Sequence, residues 1–174
     1  ILVEKPLFNV LDEPIIKNNQ VFTGYNLRFH PLIQMIKHKV VGRKIWSSQV
    51  FCGSYLPDWR PERDYRESSS AKRETGGGVL LELSHELDYI QWILGPIDIE
   101  YAVSKKASDL KIETDDLLLL SAKSEHGTYL QVHLNYFSRK PMRYILIDGE
   151  GISIQADLIN NCFNIYENDK PSEY

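Results

Sequence analysis

Apolar residues along this chain fall in short runs, and the spacing inside those runs separates a helical middle from a β-rich second half. "ILVEKP" at 1–6 is a continuous apolar run ending at a proline, the pattern of a short buried strand in a parallel sheet. Residues 8–18 form a connection, and "VFTGYNLRF" at 21–29 carries the β-branched and aromatic residues of a second strand. Pro31, after His30, stands where a helix can begin. The segment "PLIQMIKHK" then places Leu32, Ile33, Ile36 and Val40 on one helical face, and Gly42 supplies the stop. "RKIWSSQVFCGSYL" reads as a long strand. From residue 97 the pattern changes to "IDIEYAVSKKA", "DDLLLLSAKS", "TYLQVHLNYFS", "MRYILIDGE", "GISIQAD" and "CFNIYEN", with turn signals such as "EHG" and "DGEG" between them. The expected class is α+β, with an open, largely antiparallel β-sheet and helices on one face.

Between these halves lie the two segments richest in chemistry. "PDWRPERDYRESSSAKRETGGG" at 57–78 has almost no apolar periodicity, and a loop this long is uncommon in a compact domain unless it is functional or disordered. Its Trp59, Arg60, Arg63, Asp64, Tyr65 and Arg66 suit it to grip a polar ligand. The helix expected at 79–94 puts Leu80, Leu83, Leu87, Ile90 and Leu94 in one stripe that packs on the sheet. His85, Asp88, Tyr89 and Trp92 then fall on the opposite side, where a simple surface helix would carry Lys, Glu and Gln.

The bulk properties narrow the class. With 174 residues, 43% of them hydrophobic, the chain can bury one sizeable core. A net charge of -4 lacks the basic footprint of a nucleic-acid binder, and the basic run at 28–44 is expected to be a solvated helix face. No apolar run reaches membrane-spanning length, so no membrane partner is expected. The two cysteines, Cys52 and Cys162, have neither CxxC nor metal-ligand spacing, which fits reduced residues in a cytoplasmic protein. The chain opens without Met in a strand-like run, as a piece of a longer protein would.

His85 and Asp88, three apart, can be an ordinary helix pair, each satisfied locally. They can also face a ligand, because "GGG" ahead of the helix permits close backbone approach and a helix N-terminus attracts oxygen-rich groups. Glu82 and His85 depart from the HExxH spacing and have no further His or Cys nearby, so no metal is expected. Ser84 in "LSHE" lacks the strand and glycine frame of a hydrolase nucleophile. Asp115 and Asp116 belong to a turn at the start of a strand.

In their wording and order, "ILVEKPLF", "GYNLRFHP", "YLPDWRP" with "DYR", "GGGVLLELSHELDYIQWILG" and "TDD" at 114–116 resemble the Gfo/Idh/MocA family of nicotinamide-dependent sugar and polyol oxidoreductases. The resemblance implies a Rossmann domain joined to an α/β domain whose open sheet backs the substrate site and often forms a dimer face. It implies that residues 1–30 are a remnant of the dinucleotide-binding half and residues 31–174 the C-terminal substrate-binding and oligomerisation domain. No "GxGxxG" occurs in the chain, so NAD or NADP would be held mainly by a part not present here.

The resemblance further implies that His85 is the acid/base that exchanges the hydroxyl proton, while Lys5 of "EKP" orients the reacting oxygen. Glu4, Lys5 and Pro6 would border the cofactor, and a cis bond before Pro6 would turn the lysine into the cleft. Many members carry an aspartate four residues before the histidine. That position is Leu81 here, and Glu82 is the nearest acid that could take its role. Arg28, Trp59, Arg60, Tyr65 and Asp88 are the candidate contacts to a sugar-like small molecule, with Asp88 also a support for His85. The competing reading is a non-catalytic ligand-binding or oligomerisation module of the same fold, in which His85 is packed against apolar side chains and Lys5 points away from it.

Overall fold

The computed structural model describes residues 1–8 and 20–167 with their side chains and residues 170–173 by backbone. The connection expected at 8–18 falls almost wholly outside them. Two short parallel strands, β1 (Leu2–Val3) and β2 (Phe22–Thr23), pair apart from the main sheet. The strand expected at 21–29 ends early: after Thr23 the chain turns into a 3-10 helix, Asn26–Phe29, that leads into α1 (Pro31–Val40). α1 starts as its sequence predicts. Pro31 occupies the first turn, the His30 ring accepts a hydrogen bond from the Leu32 amide at 3.2 Å, and Leu32, Ile33, Ile36 and Val40 are buried.

The main sheet has eight strands: β3 (Ile45–Gly53), β4 (Ile97–Lys105), β5 (Leu117–Ser124), β6 (Tyr129–Asn135), β7 (Met142–Gly149), β8 (Ile152–Asp157), β9 (Cys162–Glu167) and β10 (Lys170–Glu173). Their order is β10-β9-β8-β7-β3-β6-β5-β4, and only the central β3–β6 pair is parallel. The α+β class with an open, largely antiparallel sheet is therefore observed. Side chains alternate in burial, so Val50, Leu120, Val132, Ile145, Ile147, Ile154 and Ile165 face the helices. The other face carries Phe51 stacked on Tyr144 at 5.2 Å, His133 against the Phe51 ring at 4.8 Å, and the exposed Tyr101.

The helix expected at 79–94 is broken. α2 (Val79–Glu82) and α3 (His85–Leu94) are separated by Leu83 and Ser84, and the break shifts the phase of the second half. Tyr89, expected on the open side, is fully buried, as is Glu86, whereas Leu80 and Leu87 are only partly buried. The core stripe is Val79, Leu83, Tyr89, Ile90, Ile93 and Leu94, joined by one charged residue, Glu86. The basic run at 28–44 is also less solvated than its composition implies. Lys37 donates to the Trp92 carbonyl at the end of α3, and Lys39 and Arg43 both pair with Glu167.

The 57–78 loop is built from a succession of 3-10 turns, at Leu56–Trp59, Tyr65–Glu67, Ser69–Ala71 and Arg73–Thr75. Its closing glycines serve close packing inside the chain. Gly77 lies against the carbonyls of Ser69 and Ser70, and Gly78, at φ +109°, lies against the Asp115 carboxylate, where a Cβ would collide. The N-terminus of α2 is occupied by the chain's own acid: the Leu80 amide donates to Asp115 Oδ2 at 2.9 Å. Asp116, fully buried, accepts from the Ala107 amide and the Ser108 hydroxyl. Both aspartates are thus structural, as expected of a turn entering β5.

Candidate functional site

The break between α2 and α3 is where the N-terminal segment meets the domain. Lys5, just beyond β1 and joined to Pro6 by a cis bond, donates from Nζ to the Glu82 carbonyl at 2.6 Å and to Glu82 Oε2 at 3.2 Å. Because α2 is a single turn ending at Glu82, that carbonyl has no helical partner further on, and the ammonium satisfies it. His85 opens α3 directly after the break. The Tyr25 ring stands edge-on to the imidazole at 5.6 Å, and Tyr25 Oη donates to Ser84 Oγ at 3.4 Å.

The electrostatics of His85 follow from this packing. Burial, then the Lys5 ammonium and the Arg143 guanidinium, push its pKa down from 6.5 to about 4, against the opposing pull of Asp88 and Glu82. The imidazole is therefore neutral at neutral pH. Its Nδ1 is buried and has no hydrogen-bond partner among the described residues.

Asp88 is turned to another partner. Arg28 forks onto it, Nε to Oδ2 at 2.7 Å and Nη2 to Oδ1 at 2.5 Å, so the expected support for His85 is engaged with the 3-10 turn that precedes α1. Arg28 and Asp88 satisfy each other and, with the Lys5–Glu82 pair, clasp the N-terminal segment to the helices. Glu4 is exposed, beside Gly24.

One pair at this place was not foreseen. Glu86, next to His85 and fully buried, receives a fork from Arg143 of β7: Nε to Oε1 at 2.6 Å and Nη2 to Oε2 at 3.1 Å. A signal for it existed. Arg143 shares the inward phase of β7 with Ile145 and Ile147, and Glu86 shares the phase of Ile90 and Ile93 on α3, so two opposite charges point into one core. Burial also keeps the Cys52 thiol in its neutral form, pushing its pKa up to about 12.

Trp59, Arg60 and Tyr65 lie elsewhere. They line a cavity of about 470 Å³ with Leu56, Arg63, Asp64, Glu67 and Ser68–Ser70, and neither Lys5 nor His85 is in that lining. Trp59 donates from Nε1 to Ser54 Oγ at 2.7 Å and rests edge-on against Tyr136 at 5.2 Å. Tyr136 is fully buried, its hydroxyl has no hydrogen-bond partner among the described residues, and burial followed by the nearby Glu82 raises its pKa. The structure thus gathers Lys5, Glu82, His85, Arg28 and Asp88 at the helix break, and Trp59, Arg60 and Tyr65 at a second place, with Tyr136 touching the second and feeling the charge of the first. Among the described residues no group of His, Cys, Asp and Glu is arranged to hold a metal ion, and no helix is long and apolar enough to cross a membrane.

The model of the GFO/IDH/MocA C-terminal domain matches residues 31–155, the greater part of the chain. The chain belongs to the GFO/IDH/MocA family. The match covers this family's C-terminal domain from α1 into β8, and it leaves the Lys5 segment outside. No curated protein sequence matches the chain. Solved structures share the family fold at low identity. Levoglucosan dehydrogenase in complex with NADH and levoglucosan is 18% identical with a TM-score of 0.78, covering 99% of this chain and 53% of its own. A putative oxidoreductase from Thermotoga maritima is 18% identical with a TM-score of 0.78, covering 99% and 56%. The WlbA dehydrogenase from Bordetella pertussis, in complex with NADH and UDP-GlcNAcA, is 21% identical with a TM-score of 0.67, covering 83% and 45%. This GFO/IDH/MocA chain spans about half the length of these solved structures.

Proposed function

We propose that this chain is the substrate-side part of a nicotinamide-dependent oxidoreductase, one that moves a hydride between NAD or NADP and a hydroxyl-bearing carbon of a sugar, polyol or nucleotide-linked sugar. Residues 1–30 belong to the dinucleotide-binding half, and residues 31–174 form the substrate-binding and oligomerisation domain. The observation that carries this reading is the seating of Lys5 at the break between α2 and α3, where Glu82 fixes its ammonium and its charge acts on His85, whose Nδ1 is buried without a partner among the described residues. A non-catalytic module would have no need to bring a lysine from outside the domain to the turn that precedes its helix histidine.

His85, neutral at neutral pH, takes the hydroxyl proton on a ring nitrogen and returns it in the reverse direction. Lys5 orients the reacting oxygen and stabilises negative charge developing on it. Glu82 acts by holding the ammonium of Lys5 with its carbonyl and one carboxylate oxygen, at a place one residue removed from the aspartate of many relatives. Glu4, Lys5 and Pro6 fit the border of a nicotinamide ring. The pyrophosphate finds no glycine-rich strand–helix turn in this sequence. The nicotinamide, when bound, supplies the hydride acceptor or donor. The dehydrogenases of like fold, solved with NADH and with levoglucosan or UDP-GlcNAcA, support the cofactor and the substrate class. The helix-free face of the sheet, with Tyr101, Phe51 and Tyr144, is the surface for a second copy.

The test uses the whole gene product. His85→Ala and Lys5→Ala are each expected to lower turnover by about 10²-fold or more while cofactor affinity stays within a few-fold of the parent. Near-normal turnover in either variant removes the assigned role.

A further inference from the structure

The cavity beneath the 57–78 loop has a charge balance that its composition conceals. Its lining holds two acids and two bases: Asp64, Glu67, Arg60 and Arg63. Both acids are already neutralised by cations outside the lining, Asp64 by Arg66 (Nη2 to Oδ2 at 2.5 Å) and Glu67 by Lys72 at 2.7 Å. Arg60 and Arg63 have no side-chain partner among the described residues. The chain's other arginines do: Arg28, Arg43, Arg66 and Arg143 each sit on a carboxylate, Arg73 donates to the Glu113 carbonyl, and Arg139 lies over the Tyr55 ring. Among the described residues, the two guanidinium groups without a protein partner, both solvent-exposed, therefore share one cavity.

The walls of that cavity are fixed. Trp59 is held by Ser54 and Tyr136 yet remains 37% exposed, and Tyr65 Oη accepts from the Lys111 amide at 3.1 Å. A volume of about 470 Å³ accommodates more than a few waters, within the range of small-molecule sites. Guanidinium forks match the oxygens of a phosphoryl group or a carboxylate, and an indole face suits a sugar ring.

We propose that this cavity is the subsite for an anionic sugar derivative, with Arg60 and Arg63 holding its phosphoryl or carboxylate oxygens and Trp59 carrying its ring. This rests on the reading of the chain as a substrate-side domain, and it narrows the substrate from a sugar, polyol or nucleotide-linked sugar to one that carries a phosphoryl or carboxylate group.

The full chain is titrated with glucose 1-phosphate, glucuronate and glucose, followed by calorimetry and by tryptophan fluorescence, with Trp59→Phe identifying the responding ring. At least one charged probe binds ten-fold or more tighter than glucose, and its affinity falls as salt rises. Binding of the phosphate alone or the uronate alone identifies the anion. The double variant Arg60→Gln/Arg63→Gln loses at least ten-fold in charged-probe affinity and brings it to the level of glucose; Arg60→Glu/Arg63→Glu loses more. Failure of both charged probes to bind, equal binding of glucose, or an unchanged affinity in the double variants overturns the proposal.

If the probe binds and the whole gene product shows no hydride transfer, the subsite stands and the oxidoreductase reading falls. If hydride transfer is found and the probes do not bind, the subsite alone falls.

Discussion

At the scale of single residues, His85 is set by its neighbours more than by its own chemistry. A histidine in water changes charge near pH 6.5, but burial and the cations Lys5 and Arg143 move this one down to about 4. The unfolded chain then binds the His85 proton more readily than the folded one, so its contribution to stability is complete above about pH 6.5 and is lost as the pH falls towards 4. An NMR titration of the His85 ring is expected to show a midpoint well below 6.5, and Lys5→Met is expected to raise it part of the way, since burial remains. A midpoint unmoved by Lys5→Met would mean that the ammonium does not reach the ring. The residue type was legible in "LSHELD"; the shifted titration was not, because Lys5 and Arg143 lie 80 and 58 positions away in sequence.

At the scale of elements, the docking of α3 on the sheet is decided by Glu86 and Arg143. The pair is bidentate and Glu86 is fully buried, so removing one partner strands a charge in the core. Arg143→Met is expected to lower the unfolding free energy by about 3 kcal/mol in urea denaturation. The double variant Glu86→Leu/Arg143→Met is expected to recover much of that loss, because two apolar side chains strand nothing. Equal losses in the single and double variants would show that shape, not charge, fixes the helix. The interruption between α2 and α3 explains why the apolar stripe expected along 79–94 was only partly right. Leu83, Ile90 and Leu94 are buried as their spacing implies, but the break at Leu83–Ser84 brings Tyr89 inward and leaves Leu80 and Leu87 at the margin. A wheel assumes an unbroken helix, and nothing local in "LLELSHEL" announces that this one is interrupted.

At the scale of the molecule, the sheet has two unlike faces. One is covered by α1, α3 and the loop; the other exposes 64% of Tyr101 and 38% of Leu119 near the Phe51–Tyr144 stack. The proposed pairing of two copies through this face predicts that Tyr101→Lys with Leu119→Lys shifts the molar mass in solution, measured by light scattering, from an oligomer towards a monomer. A monomeric parent, or an oligomer indifferent to these changes, removes the proposal.

Six of the seven strands after α3, the helix at Pro31–Val40 and the α+β class were readable because alternation and helical spacing are local properties that the chain carries into any structure it adopts. The strand expected at 21–29 was cut short by a 3-10 turn, since aromatic and β-branched content permits extended structure without requiring it. Which polar residues serve one another could not be read this way. "GGG" invited a ligand at a helix N-terminus, and Asp115, 35 positions beyond Leu80, occupies it. Asp88 stood three residues from His85 and bonds to Arg28 instead. Partner choice between charges depends on distances across the fold, and those exist only once the N-terminal segment, the helices and β7 have packed together.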